Sequence, residues 1–143
     1  MVRQSAILCV DDEPLVLSAL ERTLGREPYR VLRAGEAGEA LELLERPTVK
    51  VVVADERMPG MTGSELLIEI RRRRPEIGTI ILTGHHGQEV MVRSLEARVD
   101  FLIYKPWNED ALRRAIRRLV GEVDRSCFQD SPEAWRDLGG EGG

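Results

Sequence analysis

The sequence predicts an α/β fold in which helices cover both faces of a parallel sheet. Short runs of β-branched and apolar residues alternate with longer amphipathic segments, and this alternation occurs five times along the chain. Two of the runs, residues 49–54 and 79–82, are almost continuously apolar. Continuous apolar character is typical of central parallel strands, because helices pack against them from both sides.

The apolar runs predict five strands, all of a length that is common in globular proteins. The predicted strands are residues 6–10, 29–34, 50–54, 78–82 and 100–104. Cys9 lies inside the first run and is expected to be a small buried residue. Cys127 lies far from it, and the two cysteines match no metal or redox spacing.

The segments between the runs predict five helices, because their apolar residues recur at helical spacing. Pro14 suits the first turn of the first helix, and Gly25 suits its end. The third helix is expected to stop before Pro75, and Asn108 can cap the fifth. The predicted helices are residues 14–25, 36–45, 64–73, 88–97 and a segment that follows Asn108.

Each predicted helix has one apolar face that we expect to pack on the sheet. In chain order, these faces consist of Leu15, Val16, Ala19, Leu20 and Leu24; Ala37, Ala40, Leu41 and Leu44; Leu66, Leu67 and Ile70; Met91, Val92 and Leu95; and Leu112, Ile116, Leu119 and Val120. The pattern fades after residue 124. We therefore expect one domain of residues 4–124 and a mobile C-terminal tail of residues 125–143, with a short helix near residues 133–138.

Strands and helices that alternate with short loops form right-handed βαβ units, which leave few topologies. Five such units favour a flavodoxin-like, doubly wound sheet with the strand order 2-1-3-4-5. Sheets of this kind bind ligands at the carboxyl ends of their strands. The residues that follow the strands are therefore the candidates for a functional site.

The composition is that of an ordinary globular domain, with 42% hydrophobic and 32% charged residues among 143. The net charge of −4 disfavours a dedicated nucleic-acid-binding protein. No apolar run is as long as a signal peptide or a membrane span, so we expect a cytoplasmic protein without a membrane partner. Two arginine-rich segments, residues 71–74 and 113–118, could bind anions, but such clusters on helices are more commonly a solvated face.

Polar and charged side chains follow four of the predicted strands. Asp11 and Asp12 come after the first strand, Asp55 after the third, Thr83 after the fourth and Lys105 after the fifth. Carboxylates that lie close together repel one another unless a cation neutralises them. Mg²⁺ suits such a site, because it binds one or two carboxylates and keeps water and phosphate oxygens as its other ligands. The sequence therefore predicts a site for a metal ion and a phosphoryl group together.

Each residue of this cluster can be given a chemical role. Asp55 is the expected nucleophile, since a carboxylate can attack phosphorus and form an acyl phosphate. Asp12 is expected to bind Mg²⁺ directly, and Asp11 to assist it directly or through water. Thr83 can donate a hydrogen bond to a phosphoryl oxygen, and Lys105 can stabilise the negative charge of the transition state.

Four motifs in the chain resemble those of the receiver domains of two-component response regulators. They are Cys9-Val10-Asp11-Asp12-Glu13-Pro14, Asp55-Glu56-Arg57-Met58-Pro59-Gly60-Met61-Thr62-Gly63, Leu82-Thr83-Gly84 and Lys105-Pro106-Trp107. They occur in the family's order and spacing, and the resemblance covers roughly residues 4–122. One implication is a cis peptide bond between Lys105 and Pro106.

The resemblance also implies what the protein does. A sensor histidine kinase, a phosphotransfer protein or a small phosphodonor would phosphorylate Asp55. The cofactor would be Mg²⁺, with Mn²⁺ as an alternative, and its ligands would be Asp11, Asp12, Asp55 and the backbone carbonyl of Arg57. Phosphorylation would change the partner or cause self-association, such as formation of a homodimer. No enzymatic activity is implied beyond the chain's own phosphorylation and dephosphorylation.

One position departs from the family's pattern. Many receivers carry an aromatic residue three positions before the site lysine, and here that residue is Leu102. The favoured interpretation is that the response runs through the Thr83 loop and the helix of residues 88–97. The alternative is that Phe101 or Tyr104 takes the place of the usual aromatic residue.

Two other functions remain open. The first is an interaction module of the same fold that does not depend on phosphate, although such a module has no need to keep mutually repelling carboxylates. The second is an enzyme with an aspartyl-phosphate intermediate, such as a small phosphatase, for which Glu56 is the only acid adjacent to the nucleophile. Arg57 and His85 are expected either to alter water access to the site or to point into solvent. Trp107 is expected to be a packing residue.

Overall fold

The structure of the chain is a computed structural model that describes residues 4–128, with side chains through residue 124. Five strands alternate with five helices, as the sequence predicts. The strands are β1 (Ala6–Val10), β2 (Arg30–Ala34), β3 (Val49–Ala54), β4 (Gly78–Thr83) and β5 (Phe101–Tyr104). The helices are α1 (Pro14–Leu24), α2 (Ala37–Leu43), α3 (Gly63–Arg73), α4 (Gln88–Glu96) and α5 (Glu109–Phe128).

The strands form one parallel sheet in the order β2-β1-β3-β4-β5. This order confirms the predicted doubly wound, flavodoxin-like fold. The register pairs Val10 with Ala54, and Thr83 with Tyr104. The carboxyl ends of the strands are therefore close to level, and the residues that follow them reach one edge of the sheet.

Side chains of the central strands alternate between two cores. Ile7 and Val51 pack with residues of α1 and α5, while Leu8 and Val52 pack with residues of α2 and α3. Both faces of these strands are covered, which explains why the strands are apolar at every position. Cys9 is fully buried in the first core, as predicted, and burial raises the pKa of its thiol to about 12.

The predicted inward faces of α3 and α5 are confirmed, because all seven of their apolar residues are buried: Leu66, Leu67, Ile70, Leu112, Ile116, Leu119 and Val120. In α2, Ala40 and Leu44 are buried as predicted, and Ala37 and Leu41 are half-buried. The side chain of Asn108 caps α5 as predicted, since its Oδ1 atom accepts a hydrogen bond from the backbone N–H of residue 111 at 2.9 Å.

The predicted inward face of α1 is wrong at one position. Leu20 and Leu24 are buried as predicted, but Leu15 is 83% exposed and Leu17 is buried in its place. Leu17, Leu20 and Leu24 lie on one side of the helix at i, i+3 and i+7. Leu15 is two positions before Leu17, which places it about 200° away around the helix and therefore in solvent.

The predicted inward face of α4 is wrong at all three positions. Met91, Val92 and Leu95 are 50%, 49% and 73% exposed. The helix instead buries Val90 and Ser94. An apolar pattern does not predict burial of a serine. The apolar residues therefore predicted burial of the neighbouring face of α4. The three exposed side chains form an apolar surface that we name the α4 patch.

The C-terminal part of the chain is described only in part. Helix α5 extends to Phe128, beyond the predicted domain boundary at residue 124. The predicted tail after residue 128, with its short helix, lies outside the described residues. Among the helices that the structure describes, none is both long and apolar enough to cross a membrane.

Replacement of Leu20 by alanine is expected to lower the free energy of unfolding by about 2–5 kcal/mol, because it leaves a cavity in the core. Leu15→Ala on the same helix is the matched control and should change it by less than about 0.5 kcal/mol. Urea denaturation followed by circular dichroism measures both values. A loss at Leu15 as large as that at Leu20 would contradict the assignment of the helix faces.

Candidate metal centre

The five predicted site residues lie at the carboxyl ends of four strands, and backbone hydrogen bonds extend the sheet to them. The backbone N–H of Asp55 donates to Val10 O at 3.0 Å, and that of Lys105 donates to Thr83 O at 2.8 Å. Asp11 follows the last residue of β1 directly. The sheet therefore fixes the backbone at Asp55 and Lys105.

Three carboxylates converge at this edge of the sheet. Asp11 and Asp55 are 2% and 7% exposed, while Asp12 lies at the surface. One carboxylate oxygen from each residue lies within 4.8 Å of the corresponding oxygens of the other two. The backbone N–H of Glu13 donates to Asp11 Oδ1 at 2.9 Å, which fixes the orientation of that carboxylate. The structure thus brings together the three side chains that the sequence predicts as metal ligands.

The ammonium group of Lys105 closes one side of the cluster. Its Nζ atom donates to Asp11 Oδ2 at 2.8 Å and lies 3.7 Å from Asp55 Oδ2. One positive charge faces three negative charges here, so the cluster keeps an excess of negative charge.

An oxygen of Asp55 remains without a partner. Its Oδ1 atom is buried and accepts no hydrogen bond from any residue that the structure describes. A buried carboxylate oxygen without a donor is unfavourable in a folded protein. Hard oxygen ligands in a cluster with excess negative charge match the ligand preference of Mg²⁺. The residues present therefore fit a divalent cation of this kind.

The surroundings shift the acid–base equilibria of the two central groups. Burial raises the pKa of Asp55, and the positive charge of Lys105 opposes this effect only in part. Burial alone would lower the pKa of Lys105. The hydrogen bond from its ammonium group to Asp11 and the charge of Asp55 outweigh that effect and raise it. The lysine therefore remains a cation at neutral pH.

Thr83 and the loop after it border the cluster. Thr83 is fully buried, and its Oγ1 atom accepts a hydrogen bond from the backbone N–H of His85 at 3.3 Å. His85 is half-buried and Arg57 is exposed. Their influence on water access to the site stays a prediction.

The position of the expected aromatic switch is filled by a packed leucine. Leu102 is half-buried against the core under α2 and α3. Tyr104 stacks on the ring of His86, with ring centroids 4.2 Å apart and planes inclined by 14°. This stack links β5 to the loop that follows Thr83. Tyr104 is thus in direct contact with that loop, and the residues that carry the response stay a prediction.

The structure of the segment that follows Lys105 confirms two predictions made from the sequence. The Lys105–Pro106 peptide bond is cis, which confirms the prediction. Trp107 packs in the core under α1 and α5, and its indole N–H donates to Thr23 Oγ1 at 3.1 Å. The predicted packing role of Trp107 is confirmed.

Sequence reasoning missed the structural role of Glu56. Its carboxylate is 1% exposed and accepts hydrogen bonds from both the backbone N–H and the hydroxyl of Ser64, each at 2.7 Å. The signal was present in the sequence, since an acid directly after a buried strand must find donors nearby. The serine at the start of the next helix, Ser64, is such a donor and could have been recognised.

Both arginine-rich segments are engaged in ion pairs. Arg71 contacts Asp100 at 3.1 Å, and Arg117 pairs with Glu27. Further pairs are Arg72–Glu69, Arg73–Glu69, Arg74–Glu76, Arg113–Asp110 and Arg118–Glu122. These contacts support the interpretation of a solvated, paired surface over an anion-binding one.

The sequence pattern of the response regulator receiver domain matches residues 7–117 of the chain. The hydrogenase transcriptional regulatory protein HoxA of Cupriavidus necator is 43% identical over 119 residues, which cover 82% of this chain and 24% of HoxA. The transcriptional regulatory protein GlrR of Escherichia coli is 35% identical over 134 residues, which cover 92% of this chain and 29% of GlrR. The chain thus spans about a quarter of the length of these two curated relatives.

Solved structures of receiver domains share the fold. A CheY-like response regulator receiver domain protein from Methanospirillum hungatei superposes with a TM-score of 0.80 and 33% identity, over 87% of this chain and 99% of that one. The signal receiver domain of an HD domain-containing protein from Pseudomonas fluorescens gives a TM-score of 0.81 and 29% identity, over 85% of this chain and 98% of that one.

Replacement of Asp55 by asparagine is expected to stabilise the metal-free protein increasingly as the pH rises above about 4. Because burial raises the pKa of Asp55, the unfolded chain releases this proton at a lower pH than the folded chain. Between the two pKa values the folded protein binds more protons, so a rise in pH lowers its stability. Asparagine removes this dependence. Urea denaturation with a chelator, at several pH values from about 4 to 8, measures the effect.

Asp110→Asn is the matched control for this experiment. A hydrogen bond from Arg113 lowers the pKa of the exposed Asp110, so its replacement should bring no gain that grows with pH. A difference between Asp55→Asn and the wild type that is independent of pH would contradict the prediction.

Proposed function

This chain belongs to the response regulator receiver family, and we propose that it accepts a phosphoryl group on Asp55 in a Mg²⁺-dependent reaction. The observation that carries the proposal is the buried Oδ1 atom of Asp55, which has no partner among the described residues and lies in a cluster of three carboxylates. Such a cluster is unfavourable on its own. A bound cation would neutralise the carboxylates and would also attract the oxygens of an incoming phosphoryl group.

The proposed reaction is an in-line displacement at phosphorus. A carboxylate oxygen of Asp55 attacks the phosphorus atom of a phosphohistidine, and a P–O bond forms as the P–N bond breaks. The electron pair of the P–N bond stays on the imidazole, which then takes up a proton. Bound Mg²⁺ would supply neutralisation of the negative charge on the phosphoryl oxygens.

The residues around Asp55 are proposed to assist in distinct ways. Asp11, Asp12 and the backbone carbonyl of Arg57 complete the metal ligands. Lys105 lies 3.7 Å from Asp55 Oδ2 and so can reach a phosphoryl oxygen bound to that carboxylate. The hydroxyl of Thr83 is proposed to donate to a second phosphoryl oxygen.

The partners follow from this chemistry and from the relatives. The proposed phosphodonor is a sensor histidine kinase or a phosphotransfer protein in the cytoplasm. HoxA and GlrR are transcriptional regulatory proteins. We propose that residues 4–124 act as the input domain of a regulator and do not themselves bind nucleic acid.

Specific observations weigh against the two other functions. A phosphatase would need an acid beside the nucleophile, and the Glu56 carboxylate instead binds Ser64 at 2.7 Å. A module that does not depend on phosphate would keep the repulsion between Asp11, Asp12 and Asp55 without a use for it.

Incubation with acetyl phosphate and Mg²⁺ is expected to add one phosphoryl group to the wild type and none to Asp55→Asn, because asparagine cannot form the acyl phosphate. Lys105→Ala should slow the reaction by about 10²–10³-fold, since it removes the cation near the transferred group. Intact-protein mass spectrometry over time measures both effects.

Asp110→Asn, which changes an exposed acid outside the site, should be phosphorylated like the wild type. Full phosphorylation of Asp55→Asn would show that another residue is the acceptor. Turnover of p-nitrophenyl phosphate by the wild type would favour the phosphatase instead.

Self-association through the α4 patch is the proposed response to phosphorylation. Leu95 is the most exposed member of the patch, at 73%. Leu95→Asp is therefore expected to abolish association of the phosphorylated chain without a change in phosphorylation, because a charge in an apolar interface is costly. Sedimentation velocity with and without acetyl phosphate measures this.

Leu15→Asp is the control for that experiment, because Leu15 is a leucine on a different helix that is at least as exposed as Leu95. It should associate like the wild type. A phosphorylated wild type that stays monomeric, or a Leu95→Asp variant that still associates, would contradict the proposal.

A further inference from the structure

A buried acid that the proposed chemistry does not use lies next to the nucleophile. Glu56 follows Asp55 directly and is 1% exposed. Its Oε1 atom accepts two hydrogen bonds from Ser64, one from the backbone N–H and one from the hydroxyl, each at 2.7 Å. Ser64 lies in the first turn of α3. The carboxylate therefore joins the end of β3 to the beginning of α3.

The backbone makes a second connection at the same place. The N–H of Gly63 donates to the backbone carbonyl of Glu56 at 2.9 Å. A Cβ atom at position 63 would lie 2.2 Å from the backbone oxygen of Asp55. No side chain fits at that distance, so glycine is required for this approach. The start of α3 is thus packed directly on the backbone of the nucleophile.

These contacts close the base of a short loop. Residues 57–62 form a loop between the end of β3 and the start of α3. Three hydrogen bonds from Gly63 and Ser64 to Glu56 join the two ends of this loop. The loop begins with Arg57, whose backbone carbonyl is a proposed Mg²⁺ ligand. Its far end is fixed by Thr62, whose hydroxyl accepts a hydrogen bond from the backbone N–H of Glu65 at 3.1 Å.

We propose that Glu56 is a positioning residue, whose contact with Ser64 holds the loop of residues 57–62 in the conformation that binds Mg²⁺. This inference rests on the proposed function, because it concerns the same metal. Hydrogen bonds to a carboxylate are stronger than neutral ones, and a carboxylate at a helix N-terminus is further stabilised by the helix dipole. Groups that orient a metal ligand commonly contribute about 10–100-fold to metal affinity.

The test compares Mg²⁺ binding by the full chain and its variants, measured by isothermal titration calorimetry without a phosphodonor. Glu56→Ala removes both acceptor contacts and should weaken binding by about tenfold or more. Glu56→Gln keeps an oxygen at the same place and should retain most of the affinity. Ser64→Ala removes one of the two donors and should fall between them. Ser94→Ala is the matched control, because Ser94 is also buried in a helix and its hydroxyl has no partner among the described residues.

Amide hydrogen exchange of the metal-free variants provides the second measurement. Glu56→Ala should speed exchange at residues 57–64 and leave the central strands at wild-type rates, whereas a general loss of stability would speed exchange everywhere. Faster local exchange together with weaker binding would support the inference. Wild-type Mg²⁺ affinity in Glu56→Ala would overturn it and leave the proposed function intact. Absence of Mg²⁺ binding by the wild type would overturn the proposed function itself.

Discussion

Three carboxylates lie close together at the edge of the sheet, and their mutual repulsion is the constraint on which the rest of the site depends. An oxygen of each of Asp11, Asp12 and Asp55 lies within 4.8 Å of the others. Lys105 offsets part of this charge through its contacts with Asp11 and Asp55. Burial raises the pKa of Asp55 and so still disfavours its charged form. The binding of a cation to this site is therefore electrostatically favourable.

The sheet is what keeps these charges together. The backbone of Asp55 is hydrogen-bonded to β1, and that of Lys105 is hydrogen-bonded to β4. These strands are buried on both faces, so a change of register by one residue would exchange side chains between the two cores and disrupt the packing of both. The free energy that favours the cores therefore holds the acids in a position that they would not adopt alone. Electrostatic repulsion that is maintained by the rest of the fold is typical of functional sites.

The sequence was sufficient to predict the fold and to predict which polar residues meet at one edge of the sheet, because both follow from strong periodic signals. Buried strands are apolar at every position, and the polar residues that end them stand out against that background. The orientation of helices was less predictable. Helical spacing assigned Leu15 and Leu95 to the buried faces of their helices, but both are exposed. The packing partners that decide which face is buried are distant in sequence. Ser94, a polar residue that α4 buries, could be recognised only in three dimensions. The sequence could have suggested Ser64 as a donor for Glu56, but the burial of both residues follows only from the fold.

Thermal unfolding of the wild type with and without Mg²⁺, at constant ionic strength, tests the central claim most directly. If a divalent cation relieves the repulsion among Asp11, Asp12 and Asp55, Mg²⁺ at ten times its dissociation constant should raise the melting temperature by roughly 3–6 °C. Potassium chloride at the same ionic strength should have a much smaller effect. An equal rise with both salts, or none with Mg²⁺, would contradict the existence of a metal site in this cluster.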